Sequence, residues 1–149
     1  MILTTHLLTG AMIAKQVPAL PLALLLSFLS HYLLDFLPHP KEYSIKNIKE
    51  KKWRQAQLDF LKIGLDLSLG SAILYYLVGF QPIIYLGAVF AILPDGLTLL
   101  GLIFNNKFLR YNENFHNKIH FLRKFKIISW LRYALELTIL GVAIFFLIY

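Results

Sequence analysis

The chain has 149 residues, 58% of them apolar and 15% charged, and its mean hydropathy is +0.62. Soluble domains are nearer 45–50% apolar with about 25% charged residues, so a soluble globular domain is nearly excluded, and 8 glycines and 6 prolines exclude a linker-like or collagen-like chain. The formal charge is +7, and on so apolar a chain that surplus points to basic loops meeting anionic lipid rather than to nucleic acid.

Hydrophobic runs alternate with two basic stretches. The opening, MILTTHLL, lacks the basic start of a signal peptide, so no cleavage is expected. A first helix is expected near 2–15, ended by Lys15-Gln16 and Pro18, and a second near 21–37. A basic stretch, 38–57, follows. Two longer helices are expected near 58–80 and 82–104, separated by Phe80-Gln81-Pro82. A second basic stretch, 105–126, precedes the last helix, near 127–149. A bilayer core of ~30 Å needs about 20 helical residues, so the last three runs are long enough to span, while the first two form a shorter hairpin. The fold expected is therefore all-α: one membrane domain over 1–149, an integral bundle of about five helices. Lysines and arginines place both basic stretches and the N-terminus on the cytoplasmic side of a plasma or inner membrane, with Lys15 the one dissenting charge.

A faint internal repeat runs at an offset of 60 residues. HLLTGAMI (6–13) aligns with DLSLGSAI (66–73), and LSHYLLDFL (29–37) with VFAILPDGL (89–97). Gly10 meets Gly70, Asp35 meets Asp95, and His6 meets Asp66. Two spans per unit would make this a parallel two-hairpin repeat.

Cysteine is absent, so any metal must take His nitrogen and carboxylate oxygen. His31 and Asp35 stand at i and i+4, on one helix face with Ser27, where ring and carboxylate reach one ion or bond each other. Asp66 lies deep in GLDLSLG between Gly64 and Gly70, and Asp95 follows Pro94 in mid-helix. An ionised side chain at such depth costs ~2.5–3.5 kcal/mol, so both are expected to act in catalysis. His116 and His120, in HNKIH, share a face if helical, the spacing zinc sites use. His6 opens the first helix. Other polar residues read as structural: Asp59 as a solvated ion pair, His39 as an exposed loop residue, and Arg132 with Glu136 as a mutually neutralising pair.

Depth joins the first set. At 1.5 Å per residue, His6 lies ~6 Å, His31 ~9 Å, Asp35 ~3 Å, and Asp66 and Asp95 ~13 Å inside the basic end of their helices. The expected metal site is therefore His6, His31, Asp35, Asp66, Asp95, His116 and His120, holding a divalent ion, zinc first and manganese or iron next.

THLLTGA, SHYLLDFLPH, LPDG and HNKIH together resemble the sparse motifs of small bacterial membrane-bound metal-dependent hydrolases. The His-x3-Asp spacing is also similar to that of helical zinc-dependent phospholipases C. The resemblance implies that His6, His31, Asp35, Asp95, His116 and His120 are metal ligands. It departs from the family at Leu93-Pro94-Asp95-Gly96, where an Asp-x-Asp-His-Pro segment is expected, and at HNKIH, where the family has His-Arg-Gly-x-Thr-His. It departs also in order, since the His-x3-His piece follows the Ser-His-x3-Asp piece.

The function expected is hydrolysis at the cytoplasmic membrane face. A metal-bound water would attack a phosphoester or ester of a lipid-like, anionic substrate steered by Lys118, Arg123 and Lys124. Two alternatives use the same polar cluster: a cation or proton carrier, and a non-catalytic membrane protein whose buried polar groups fix helix pairing.

Overall fold

In the computed structural model the described residues, 1–40, 45–104, 109 and 128–149, form six helices and no strand. They are α1 (Leu3–Gln16), α2 (Leu20–Phe36), α3 (Lys46–Lys49), α4 (Trp53–Val78), α5 (Pro82–Phe104) and α6 (Ser129–Ile148). Five match the expected runs. The difference lies at the first basic stretch, where α3 is additional and α4 begins at Trp53 rather than near 58.

The breaks follow from proline and glycine. Pro21 stands in the first turn of α2, where its missing N–H leaves no bond unmade. Leu37 is extended ahead of Pro38 and ends α2. Gly79, at φ 66° and ψ −160°, takes a positive-φ conformation open almost only to glycine and ends α4, and Pro82 opens α5. Lys51, after α3, also has a positive φ, 55°. There its amide donates to Ile48 (3.0 Å) and that of Lys52 to Asn47 (2.9 Å). At this exposed turn Lys52 Nζ lies 2.6 Å from Glu50 and holds that carboxyl below its ordinary range.

α1 is the hub, since α2, α4, α5 and α6 all pack on it. Thr4 meets Asp66 and Gly70 of α4, and Leu7 packs with Leu74. Thr5 meets Glu136, and Lys15 reaches Leu147 of α6. α4 and α6 therefore run in the direction of α1. Gly10 and Ala14 meet Ala91 and Gly87 of α5 in reverse order, and Ser27 of α2 bonds Gly10, so α2 and α5 run the opposite way. The start of α1, the end of α2, the start of α4 and the end of α5 share one end of the bundle.

α1 is flush with its neighbours at the other end only. There Lys15 Nζ donates to the carbonyl of Leu147 (2.7 Å) and Gln16 Nε2 to that of Phe146 (2.9 Å), capping the last turn of α6. At the basic end α4 continues for ~20 Å beyond Asp66, at 1.5 Å per residue, while α1 stops level with that residue. α3 packs below this step against α4 and α5, with Ile48 fully buried. Asp59 is only 2% exposed, rather than solvated as expected, because its carboxylate takes the backbone and side-chain amides of Asn47 (3.1 and 3.3 Å) and fastens α3 to α4.

Small residues set the closest approach. A Cβ on Gly10 would strike the side chain of Ala91 and the backbone carbonyl of Gly87, and one on Gly87 would strike Ala14 and the carbonyl of Gly10. Gly64 has nothing within 4 Å of that position. Gly87→Val is expected to destabilise the protein by at least ~1–3 kcal/mol, the cost of overpacking. Gly64→Ala is expected to preserve or raise stability, since alanine is the better helix former. Thermal unfolding in detergent compares the two, and equal midpoints would contradict this α1–α5 contact.

Candidate metal centre

α1 delivers His6, α2 delivers His31 and Asp35, and α5 delivers Asp95. His6 and His31 are fully buried, Asp35 is 2% exposed and Asp95 is 29% exposed, so the group is closed on all sides but that of Asp95. The two imidazoles stack with centroids 4.3 Å apart and planes inclined by 30°. His6 Nε2 lies 3.2 Å from Asp35 Oδ1. His31 Nε2 lies 3.2 Å from Asp35 Oδ2 and 3.7 Å from Asp95 Oδ1. One ligand atom from each of His6, His31 and Asp95 falls within 4.8 Å of the others, a group able to hold a metal ion.

Hydrogen bonding fixes how His31 faces this group. Its Nδ1 lies 2.8 Å from the carbonyl of Ala91, which only accepts, so Nδ1 carries a proton, and in a neutral ring Nε2 would turn its lone pair to two carboxylates. Pro94 has no N–H and thins the α5 ladder next to that carbonyl. Lone pair and carboxylate cannot bond each other, so positive charge must lie between them, as a proton or as a metal ion. His6 sharpens the choice. Both its ring nitrogens are buried and neither makes an aligned hydrogen bond among the described residues, although Asp35 is near. The Met1 α-amino group, 2.9 Å from Asp35 Oδ1, supplies one positive charge here, and a divalent ion between the rings and Asp95 is a further way to supply it.

The separations suit that ion. Donors bound to zinc at ~2.0–2.2 Å in a tetrahedron stand ~3.3–3.6 Å apart; the His6–Asp35, His31–Asp35 and His31–Asp95 contacts, 3.2, 3.2 and 3.7 Å, are close to that, while the ligand atoms of His6, His31 and Asp95 lie within 4.8 Å of one another. Nδ1–H held by a backbone carbonyl is also how ligating histidines are oriented.

The remaining sequence candidates divide. Asp66 turns to the first turn of α1, where it accepts from the amides of Leu3 (2.7 Å) and Thr4 (3.2 Å) and from the Thr4 hydroxyl (2.6 Å). Glu136, expected to answer Arg132, does the same from α6, accepting from the amide of Ile2 (3.0 Å) and lying 3.4 Å from the Thr5 hydroxyl. Both carboxylates cap α1 from other helices. Ser27 bonds the carbonyl of Gly10 (3.1 Å), a link between α2 and α1. His116 and His120 lie outside the described residues, as do Lys118, Arg123 and Lys124.

His39 is the residue sequence reasoning missed. It is fully buried instead of exposed, with Nε2 3.8 Å from Asp35 Oδ1 and Nδ1 2.8 Å from the carbonyl of Pro40. The signal was the run His31-x3-Asp35-x3-His39, masked by Pro38, which ends the helix before the last member. Compared with family models, curated proteins and solved structures, the chain matches none.

Asp66→Ala and Glu136→Ala are each expected to lower stability by ~1.5–3 kcal/mol, the worth of hydrogen bonds to a charged group. The exposed Glu50→Ala should change it by less than ~0.5 kcal/mol. Thermal unfolding midpoints in detergent measure this, and an unshifted Asp66→Ala would refute the capping role.

Proposed function

We propose that this is an integral membrane protein that holds a divalent ion, zinc first, on His6, His31 and Asp95 with Asp35. We propose further that it uses the ion to hydrolyse a phosphoester or ester of a lipid-like substrate. The observation that carries the metal is the buried His6 ring, both nitrogens without an aligned hydrogen bond, stacked on a His31 ring that is held by a carbonyl and faces carboxylates.

The membrane reading rests on length, composition and placement. α4, α5 and α6 are long and apolar enough to cross a bilayer. Trp53 and Trp130 mark the basic end and Tyr75, Tyr76 and Tyr149 the other, all exposed. At 1.5 Å per residue these belts are ~33 Å apart on α4 and ~28 Å on α6, close to the ~30 Å of a hydrocarbon core. Lys46, Lys49, Lys51, Lys52 and Arg54 are exposed at the end carrying Trp53, which makes that end the cytoplasmic one. Along α4, Asp66 lies ~20 Å from Trp53 and ~14 Å from Tyr75, and along α6, Glu136 lies ~9 Å from Trp130, so the start of α1 and the centre beside it lie within the spanning part of the bundle. The two hairpins α1–α2 and α4–α5, with α1 and α4 running alike, accord with a parallel repeat.

Hydrolysis suits a centre of nitrogen and oxygen donors open at Asp95, where a bound water could be activated near neutral pH. Lysines at the headgroup level favour an anionic lipid as substrate. A transmembrane carrier is disfavoured by the contact outward of the centre, where Gly10 and Ala14 of α1 press on Gly87 and Ala91 of α5.

Protein purified without chelator is expected to contain zinc by elemental analysis. His6→Ala, His31→Ala and Asp95→Ala should lower that content at least tenfold, and Glu50→Gln should not. Metal-free folded wild type would end the metal reading. Zinc-loaded protein that cleaves no phospholipid or ester in mixed micelles would end the hydrolase reading alone. For orientation, a cysteine placed at Lys49 should react with an impermeant maleimide only from the cytoplasmic side, and one at Gln81 only from the other. The reverse pattern would invert the topology.

A further inference from the structure

We infer that substrate reaches this centre sideways from the bilayer, through a window between α4 and α5, and is therefore a lipid held in the membrane by its chains rather than a phosphoester dissolved in water. The inference rests on the reading of His6, His31 and Asp95, with Asp35, as a metal centre. Two helix stripes define the window. On α5, Ile84, Ala88, Asp95 and Leu99 follow at intervals of four or seven residues and share a face. On α4, Ile63, Leu67 and Leu74 do the same. Away from the basic end both stripes are covered, since Leu74, Ile84 and Ala88 are buried in one cluster with Leu7 and Leu8 of α1. Toward the basic end the cover given by α1 runs out, and among the described residues α4 and α5 do not pack on each other. There Asp95 is 29% exposed and Leu67 37%, and Ile63 and Leu99 are half-buried.

The other approaches are shut. Outward of the centre, Gly10 and Ala14 press on Gly87 and Ala91. Toward the basic end, fully buried His39 lies beyond Asp35, and α3 packs on both α4 and α5 with Ile48 fully buried. Asp59 fastens that crossing to α4 through Asn47. Ile63 and Leu67 stand ~15 and ~21 Å along α4 from Trp53, and Tyr75 is ~12 Å further on, so the window opens at the depth of hydrocarbon and its rim is apolar. A lipid can present its polar group to Asp95 there while its chains stay in the bilayer. A charged solute from the water would have to cross hydrocarbon first, which is costly.

The test uses the full chain loaded with zinc in phosphatidylcholine nanodiscs, where water reaches both faces of the bilayer. Two chelators are compared: phenanthroline, which is uncharged and enters bilayers, and EDTA, which is charged and binds zinc more tightly. Phenanthroline is expected to strip the ion at least ~tenfold faster, because only it can use the window. Leu67→Trp and Leu99→Trp, which narrow the window, should slow phenanthroline several-fold, whereas Leu65→Trp, on the far face of α4, should not. Should the first two fail to fold, the chelator comparison on wild type decides. EDTA stripping the ion as fast as phenanthroline would overturn the lateral route and leave the metal centre standing. Of two substrates, phosphatidylglycerol in the disc and p-nitrophenyl phosphate in the water, only the first should be cleaved, and cleavage of the second at a comparable rate would also overturn the route. Cleavage of neither would end the hydrolase reading and leave the route to the chelators. A folded protein that takes up no zinc removes the centre and the window's role together.

Discussion

α1 begins inside the bundle instead of at its end, and its first-turn amides have to find partners there. The first N–H groups of any helix point along its axis with no carbonyl to meet. In a water-free layer each one left unpaired costs several kcal/mol. Residues Leu3 to Gly10 are all buried, so solvent does not serve them. Two carboxylates do, Asp66 from α4 and Glu136 from α6. The arrangement also suits the positive end of the α1 dipole. Acids that look misplaced on apolar helices are thus the condition for starting a helix at that depth.

That early start creates the candidate centre. Because α1 stops short, the space below it is left to the end of α2 and to His39, which is fully buried there. His6, one turn into α1, comes level with His31 and Asp35 at the end of α2 and with Asp95 on α5. Glycine and alanine contacts hold α1 against α5 tightly enough that His31 can reach across to the carbonyl of Ala91. Capping, close packing and the polar cluster are consequences of one geometry. Removing the caps would displace His6 as well as weaken α1.

Much of the helical order was legible, because proline, glycine and hydrophobic length are local signals. Pro18 and Pro21 mark the first turn, Gly79 and Pro82 the next, and the i, i+4 spacing of His31 and Asp35 brings both into the centre. What was not legible depended on contacts between distant segments. Asp66 and Asp95 look alike in sequence, each a carboxylate deep in an apolar run, yet one meets backbone donors and the other a histidine ring. Glu136 pairs by spacing with Arg132, but the open amides of α1 lie nearer in space than sequence can show. His39 follows a proline, so helical spacing ceases to apply to it just where the chain folds back. Asp59 was read as solvated because α3, the element that covers it, is one turn long and carries no periodic signal.

The acids sort by the character of their partners. Asp59, Asp66 and Glu136 each face amide and hydroxyl groups that donate, and their charge is answered by those donors. Such a carboxylate is complete without an ion. Asp95 faces the His31 ring, while Asp35 faces ring nitrogens and also accepts from the Met1 α-amino group at 2.9 Å; where a carbonyl already holds the opposite nitrogen, as at His31, a neutral ring has only a lone pair to offer. Acceptor against acceptor in a buried place is stable only with positive charge between the two. Burial alone does not separate these classes, since Asp35 and Asp59 are equally enclosed, each 2% exposed. Depth does not separate them either, since Asp66 and Asp95 lie at nearly the same distance from the helix ends. The discriminating feature is the kind of group each acid meets, and by that measure the acids of this bundle divide into those that fasten one helix to another through amide and hydroxyl donors and those gathered around histidine rings in a group able to hold a metal ion.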